Sequence, residues 1–274
     1  MKIYKVDKLL KPVGNGSTNP IYGIINNKEY VIKTFNNPEG NKILINELIS
    51  YLIVKKLDLP MPNSILGIID NKTFISNEVL ETEEFNEECF GIAFCSEVIK
   101  PVTTISSEKM MAISSNYESL IPKLMLLDHL IYNKDRNKGN LLISLSKADS
   151  KMYIIDHSHV FNLEALWNSF GLQQRIVDKD YRDLRIMQDN WYHYSKFKST
   201  MDIRKKDMQN AVNYFYERLD TKFFNDIIFS IPDQWEKNTS ELKALADYLT
   251  YRLEHLNDYA NMIVKYDYRR SLDD

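Results

Sequence analysis

Two aspartates and an asparagine set around a short hairpin constrain this chain more than any other feature. Asp135 and Asn140 stand five residues apart in Asn133-Lys134-Asp135-Arg136-Asn137-Lys138-Gly139-Asn140, and Asp156 follows sixteen residues later. Ser106 to Tyr132, just ahead of them, reads as mainly helical. Leu141 to Leu145 and Met152 to Ile155 read as two short strands. The order is therefore helix, acid–amide loop, strand, turn, strand, acid. Alone, D-x-x-x-x-N arises often by chance, and its plain reading is a polar turn with a strand-end cap. In the hairpin setting it has the layout that phosphoryl transfer needs. One carboxylate orients an attacking hydroxyl and takes its proton. An amide oxygen and a second carboxylate hold Mg²⁺, a hard cation that requires oxygen ligands.

The front of the chain supplies a cation for the same chemistry. Gly14 to Pro20 is a turn-rich patch, Ile21 to Ile25 a short apolar strand, and Asn26-Asn27 a hairpin turn into Glu29-Tyr30-Val31-Ile32-Lys33. A lysine that ends an apolar strand can reach nucleotide phosphates while its strand packs in the core. From Asn41 to Leu57 apolar residues recur at helical spacing until Leu59-Pro60-Met61-Pro62 stops the helix. Glu47 lies mid-helix among Ile43, Leu44, Tyr51 and Val54. A carboxylate there is costly to bury unless it meets a cation, and Lys33 is the candidate. Ser64 to Asp70, Thr73 to Val79 and Phe90 to Ile99 read as further strands, with the acidic run Glu81 to Glu88 as a solvated loop. After Pro101 helices dominate. The stretch through Gln173 is irregular, and Asp247 to Lys265 reads as one amphipathic helix. A strand-rich front and a helical back predict an α+β protein of two lobes, residues 1–100 and 101–274.

Bulk properties exclude several classes. The 274 residues are 44% hydrophobic, enough for a sizeable core, and the net charge of -3 gives no polyanion-binding surface. Direct nucleic-acid binding is not expected. Cys89 and Cys95 form neither a disulfide framework nor a metal-ligand spacing. Met1 to Lys11 lacks the apolar run of a signal peptide, and no stretch approaches a membrane span. A soluble, cytoplasmic protein with no membrane contact is expected. No Walker A loop, and no nucleophile–histidine–acid set for hydrolysis, is present. His157 and His159 flank Asp156 and are read as local packing or hydrogen-bonding groups. Trp191 to Tyr194 is read as a packing cluster and Arg204-Lys205-Lys206 as a solvated helix end.

In order, these segments resemble the HipA-like kinases, in particular their compact single-domain group. The resemblance rests on Tyr30-Val31-Ile32-Lys33, Ile45-Asn46-Glu47-Leu48-Ile49, Leu57-Asp58-Leu59-Pro60-Met61-Pro62 and Gly91-Ile92-Ala93-Phe94-Cys95-Ser96. It continues in Asp135-Arg136-Asn137-Lys138-Gly139-Asn140, Ile155-Asp156-His157-Ser158 and Ile231-Pro232-Asp233-Gln234-Trp235. The Asp-Arg-x-x-x-Asn element is also similar to the catalytic loop of phosphatidylinositol kinases. The resemblance implies a bilobal protein-kinase-like fold, a small β-rich N-lobe with one helix over a larger helical C-lobe, with ATP between them. It implies Asp135 as catalytic base, Asn140 and Asp156 as Mg²⁺ ligands, Lys33 on phosphate and Glu47 holding Lys33. Gly14, Gly16, Ser17 and Thr18 would cover the phosphates, with Ser17 or Thr18 a candidate for self-phosphorylation. Glu97, Val98 and Ile99 would meet adenine. Two departures matter. Asp156 is followed by His-Ser rather than Phe-Gly, and the extra N-terminal subdomain of full-length HipA toxins is not evident.

The expected activity is thus an ATP- and Mg²⁺-dependent phosphotransfer to serine or threonine of a protein, with a regulatory or antitoxin protein as a further partner. Two alternatives stay open: a kinase of a lipid or small molecule on the same fold, and a nucleotide-binding pseudokinase that acts through a partner.

Overall fold

The computed structural model describes residues 1–267 apart from 15, 146–148 and 237. Asn15 of the glycine-rich turn is therefore outside the described residues. Seven strands form one curled sheet: β1 (Ile3–Lys5), β2 (Lys8–Pro12), β3 (Ile21–Ile25), β4 (Lys28–Lys33), β5 (Ser64–Ile69), β6 (Phe74–Ile75) and β7 (Gly91–Glu97). Their spatial order is β1-β5-β7-β4-β3-β2-β6. The β3–β4 hairpin turns on Asn26 and Asn27, both at positive φ (50° and 61°), the conformation that matches strand twist and that asparagine tolerates. β4 alternates inward and outward, and its last two residues, Ile32 and Lys33, are both buried. A second, three-stranded sheet joins β8 (Val102–Thr104), β9 (Leu141–Ser144) and β10 (Met152–Ile154) in the order β10-β9-β8.

One helix crosses the large sheet, α1 (Lys42–Lys56). It is buried on nearly every side, so it has no polar face to spare. A short α2 (Asn77–Leu80) caps the sheet edge. The helical body comprises α3 (Glu108–Ala112), α4 (Tyr117–Leu130), α5 (Ser169–Val177), α6 (Arg185–Asp189), α7 (Trp191–Thr200), α8 (Lys205–Tyr216), α9 (Thr221–Ile227), α10 (Thr239–Glu254) and α11 (Leu256–Lys265). The main apolar core runs through α1, Phe94 of β7 and the helices after residue 101 without a break. A smaller core lies within the curl of the sheet, around Val6, Ile25, Ile32 and Cys95. Cys89 and Cys95 are both buried and unbonded to each other. Among the described residues no helix is long and apolar enough to cross a membrane.

Local capping explains where the fold departs from the periodicity. The strand expected over Thr73 to Val79 stops at Ile75, because Ser76 caps α2 by accepting from Val79 N–H. The helix expected from Ser106 to Tyr132 is two helices: Ser114 turns back on Met111, and Ser115 N–H bonds Ser150. The irregular stretch ends earlier than expected, since Asn168 caps α5 from Ser169. The single helix expected over Asp247 to Lys265 breaks at His255, whose ring stacks on Tyr181 at 3.7 Å and whose Nδ1 lies 2.7 Å from Asp258. β1, β2 and β8 had no sequence signal strong enough to place them.

β7 is anchored from a distance. The Ile92 N–H donates to Gln234 Oε1 and the Ile92 carbonyl accepts from Trp235 Nε1, both at 2.8 Å. Two side chains thus occupy the edge of β7 where β4 has ended. Trp235→Ala should lower stability by about 3–5 kcal/mol through the lost ring, and Gln234→Ala by about 1 kcal/mol through one hydrogen bond. Chemical denaturation midpoints at constant slope would check both.

Candidate active site

A cavity of about 950 Å³ separates the large sheet from the β8–β10 sheet and the loop ahead of β9. Its size is at the upper end for small-molecule and cofactor sites. It brings together Gly16, Ser17, Thr18, Lys33, Glu47, Glu97, Val98, Ile99, Asp135, Asn140 and Asp156. Of the residues singled out from sequence, Gly14 stands apart and lines a separate recess of about 140 Å³ behind the loop.

Lys33 is the hub of one wall. β4 pairs with β7 so that Lys33 faces Phe94, which carries the side chain into the sheet's concave side. Its ammonium donates to Glu47 Oε1 at 2.5 Å, Asp156 Oδ1 at 2.8 Å and Ser158 Oγ at 2.7 Å. Three partners saturate its three N–H bonds. Glu47 Oε1 also accepts from the Ser158 hydroxyl at 3.0 Å and the His157 N–H at 3.2 Å. Burial disfavours the Lys33 cation, yet Asp156 and then Glu47 outweigh it and hold the amine above its ordinary value. Burial pushes the Glu47 carboxyl up, against the pull of Lys33. For Asp156 burial also opposes ionisation, but the Lys33 charge and hydrogen bond hold it well below the usual carboxylate range.

The opposite wall is a cross-braced loop. Asn133 Oδ1 accepts from the Asp135 N–H at 2.9 Å, and Asn190 bonds both the Arg136 N–H and the Asn133 carbonyl at 2.8 Å. Arg136 is fully buried and pairs with Asp128 of α4, Nη2 to Oδ1 at 2.8 Å. Its Nη1 donates to the carbonyls of Asn140 (2.8 Å) and Ile155 (3.1 Å), and Nη2 meets His157 Nε2 at 3.2 Å. The Ile155 N–H returns to the Asn140 carbonyl at 3.3 Å. One guanidinium therefore ties the Asn140 backbone to the strand end that carries Asp156. The Asn140 Nδ2 donates to the Asp135 carbonyl at 2.7 Å and to Asp135 Oδ2 at 3.2 Å. That commits the amide nitrogen and leaves Oδ1 as the acceptor the side chain can offer a cation.

Several contributors were not among the site residues expected from sequence. Ser158 sits between Lys33 and Glu47. His159 meets Glu39 Oε2 at 2.6 Å and Asp135 Oδ2 at 3.6 Å. His157 and His193 are neutral props: burial, then Arg136, pushes His157 well below its ordinary value and His193 down to about 4. His193 Nε2 supports the Asn137 carbonyl at 2.8 Å. Asn46, beside Glu47, donates to the carbonyls of Ser158 (2.6 Å) and Glu164 (3.0 Å) and accepts from Trp167 Nε1 at 2.9 Å. In sequence Asn46 and Ser158 stand only as members of motifs, and the three histidines only as packing or hydrogen-bonding groups.

A curled sheet over a helical body is a protein-kinase-like architecture, here with a lysine–glutamate pair on one wall of the cleft and an Asp-Arg-x-x-x-Asn loop on the other. The HipA-like kinase family profile matches residues 6–263, and the chain belongs to that family. Among solved structures it is similar to the Helicobacter pylori proinflammatory kinase CtkA, at 17% identity and a TM-score of 0.61 over 99% of this chain and 98% of that one. At such identity the likeness establishes the fold. A weaker likeness is to HipA of Shewanella oneidensis MR-1, solved with HipB and operator DNA, at 10% identity and a TM-score of 0.44 over 94% of this chain and 68% of that one. No curated protein matches the sequence.

Removing one member of the buried Arg136–Asp128 pair strands the other's charge. Asp128→Ala should lower stability by about 3–5 kcal/mol, and adding Arg136→Met should recover part of it, because an apolar pair needs no compensation. Denaturation of the single and double variants would measure this.

Proposed function

We propose that the protein is a Mg²⁺- and ATP-dependent kinase that phosphorylates a serine or threonine hydroxyl of a protein. The observation that carries this reading is the Lys33 ammonium, held between Glu47 and Asp156 and facing the Asp135–Asn140 loop across one cavity. In this reading residues 1–100 form the lobe over the nucleotide and 101–274 the lobe that bears the loop. Asp135 orients the acceptor hydroxyl and takes its proton. Lys33 contacts phosphate and Glu47 keeps Lys33 in place. Gly16, Ser17 and Thr18 line the cavity as the phosphate-covering loop, with Gly14 at its start beside the smaller recess. Val31, Phe94, Leu142 and Ile155 give apolar walls for a flat base, beside the Glu97 to Ile99 backbone.

The donor set fits the metal. Asn140 and Asp156 offer an amide oxygen and a carboxylate, and Mg²⁺ takes one or two protein oxygens together with phosphates rather than a closed protein cage. Among the described residues no three His, Cys, Asp or Glu side chains gather into such a cage. Six carboxylates line the cavity (Glu47, Glu97, Asp135, Asp156, Glu164 and Asp189) against Lys33, Lys134 and His159. A bare polyphosphate would meet a net negative wall. When bound, ATP supplies the phosphoryl group and Mg²⁺ offsets the phosphate charge. Family membership extends the proposal to a regulatory partner of the antitoxin kind.

Incubation with γ-labelled ATP and Mg²⁺, alone and with cell lysate, tests the reading. Label should appear in protein bands and fall roughly 10²–10⁴-fold in Asp135→Asn. Wild-type rates in that variant would overturn the Asp135 assignment. Label confined to lipid or small molecules would select the alternative kinase reading, and nucleotide binding with no transfer a non-catalytic module. In thermal shift, ATP at about a hundred times its Kd should add about 2.7 kcal/mol of stability. That gain should need Mg²⁺ in the wild type and lose its metal dependence in Asp156→Asn.

A further inference from the structure

We infer that His159 is a positioning residue for this transfer, a bridge that fixes the Asp135 carboxylate and fastens it to the loop ahead of α1. The inference rests on the kinase reading for its functional part and on geometry for the bridge itself. The ring is half-buried in the cavity wall, three residues past Asp156, where the chain bends through a left-handed φ of 57° at Asp156. Its two nitrogens face two different carboxylates. Nε2 is 2.6 Å from Glu39 Oε2, a charge-assisted hydrogen bond, and Nδ1 is 3.6 Å from Asp135 Oδ2, an ion-pair contact.

A neutral imidazole can donate through one nitrogen only and would turn a lone pair toward the other carboxylate. The arrangement therefore calls for the imidazolium. Asp135 first, then Glu39, push the ring up to about 9 while partial burial works the other way. Neighbouring cations are engaged elsewhere. Lys134 lies 3.3 Å from Glu164, and Arg136 is committed to Asp128. The charged groups that face the ring are thus Glu39, from the loop before α1, and Asp135, from the loop before β9.

Each arm continues into working parts. On the Asp135 side, Asn137 Nδ2 holds Oδ1 at 2.7 Å and Asn140 Nδ2 approaches Oδ2 at 3.2 Å, so His159 supplies the third fix on the carboxylate. On the other side, the Glu39 N–H donates to Asn37 Oδ1 at 3.2 Å, and Asn37 Nδ2 donates to the Thr18 carbonyl at 2.8 Å. A chain of contacts therefore runs from the glycine-rich loop to the Asp135 carboxylate. A protonated His159 cannot itself take the acceptor's proton, which leaves that task to Asp135. The sign of the pH effect follows. The bridge is whole below the ordinary histidine range and is lost as pH rises through about 9.

The test is turnover against pH for the full chain, with His159→Gln, His159→Arg and Glu39→Gln. In the wild type kcat should fall as pH rises through about 9. Glu39→Gln should move that fall to lower pH. His159→Gln should abolish it and lower kcat about tenfold, with KM for ATP within about a factor of two. His159→Arg, which keeps the charge, should restore much of kcat without the alkaline fall. Unchanged kcat and an unchanged profile in His159→Gln would overturn the inference. Imidazole C–H titration by NMR decides the bridge without any turnover, the His159 signal being the one missing in His159→Gln. It should titrate near 9 in the wild type, and at lower pH in Glu39→Gln and in Asp135→Asn. A wild-type value in the ordinary histidine range would overturn the bridge, whereas a raised value in a protein that transfers no phosphate would leave the bridge standing and the kinase reading refuted.

Discussion

The Lys33 ammonium joins three stretches of chain that would otherwise have no reason to meet. β4 brings the amine, α1 brings Glu47, and the end of β10 brings Asp156 and Ser158. None of the three can be buried alone without a large desolvation penalty. Together they are mutually compensated, and the cavity forms around them. The second buried pair, Arg136 with Asp128, works the same way beneath the facing loop. Each ion pair fixes one wall, and β9 and β10 lie between Asn140 and Asp156 in the chain. Function and stability are therefore not separable here, since the groups proposed for phosphate chemistry are also the groups that close the cleft.

α1 shows how firmly one wall is held. Beyond Glu47, Asn46 grips the backbone of Ser158 and Glu164, and Lys42 reaches the Trp167 carbonyl and Glu241, each at 2.5 Å. The Lys42 ammonium also lies 4.4 Å from the Trp167 ring centroid, a cation–π contact. The first two turns of the helix are thus fastened to the segment after Asp156 and to α10. A helix so tied has little freedom to swing and take Glu47 away from Lys33.

What the residues disclosed in advance follows from how local the signal was. Lys33 and Glu47 were legible because each is a charged residue in an apolar run, a strand end in one case and a helix interior in the other. Asp135, Asn140 and Asp156 were legible because a hairpin of ordinary length returns the chain to its start. Ser158 and His159 were not, since their directions depend on the left-handed bend at Asp156. Arg136 was visible only as a member of a motif. Its burial depends on Asp128, eight residues back near the end of a buried helix. The break between α10 and α11 falls at His255, whose ring stacks on Tyr181, a contact between distant residues that no periodicity registers. Gly14 read as part of the phosphate loop from its neighbours, and it lines the smaller recess together with Gly16.

The anchoring of Ile92 by Gln234 and Trp235 bears on how the protein is made. The partners are 142 and 143 residues apart in sequence. As the chain leaves the ribosome, β7 is available long before the two side chains that complete its edge. α1 has likewise to wait for the helices against which it is buried. The early sheet therefore spends much of synthesis with an open strand edge and an uncovered apolar face, a state exposed to mispairing and to holding factors. The sheet that carries Lys33 thus receives its last fastening only after Gln234 and Trp235 have been made, well after its own strands.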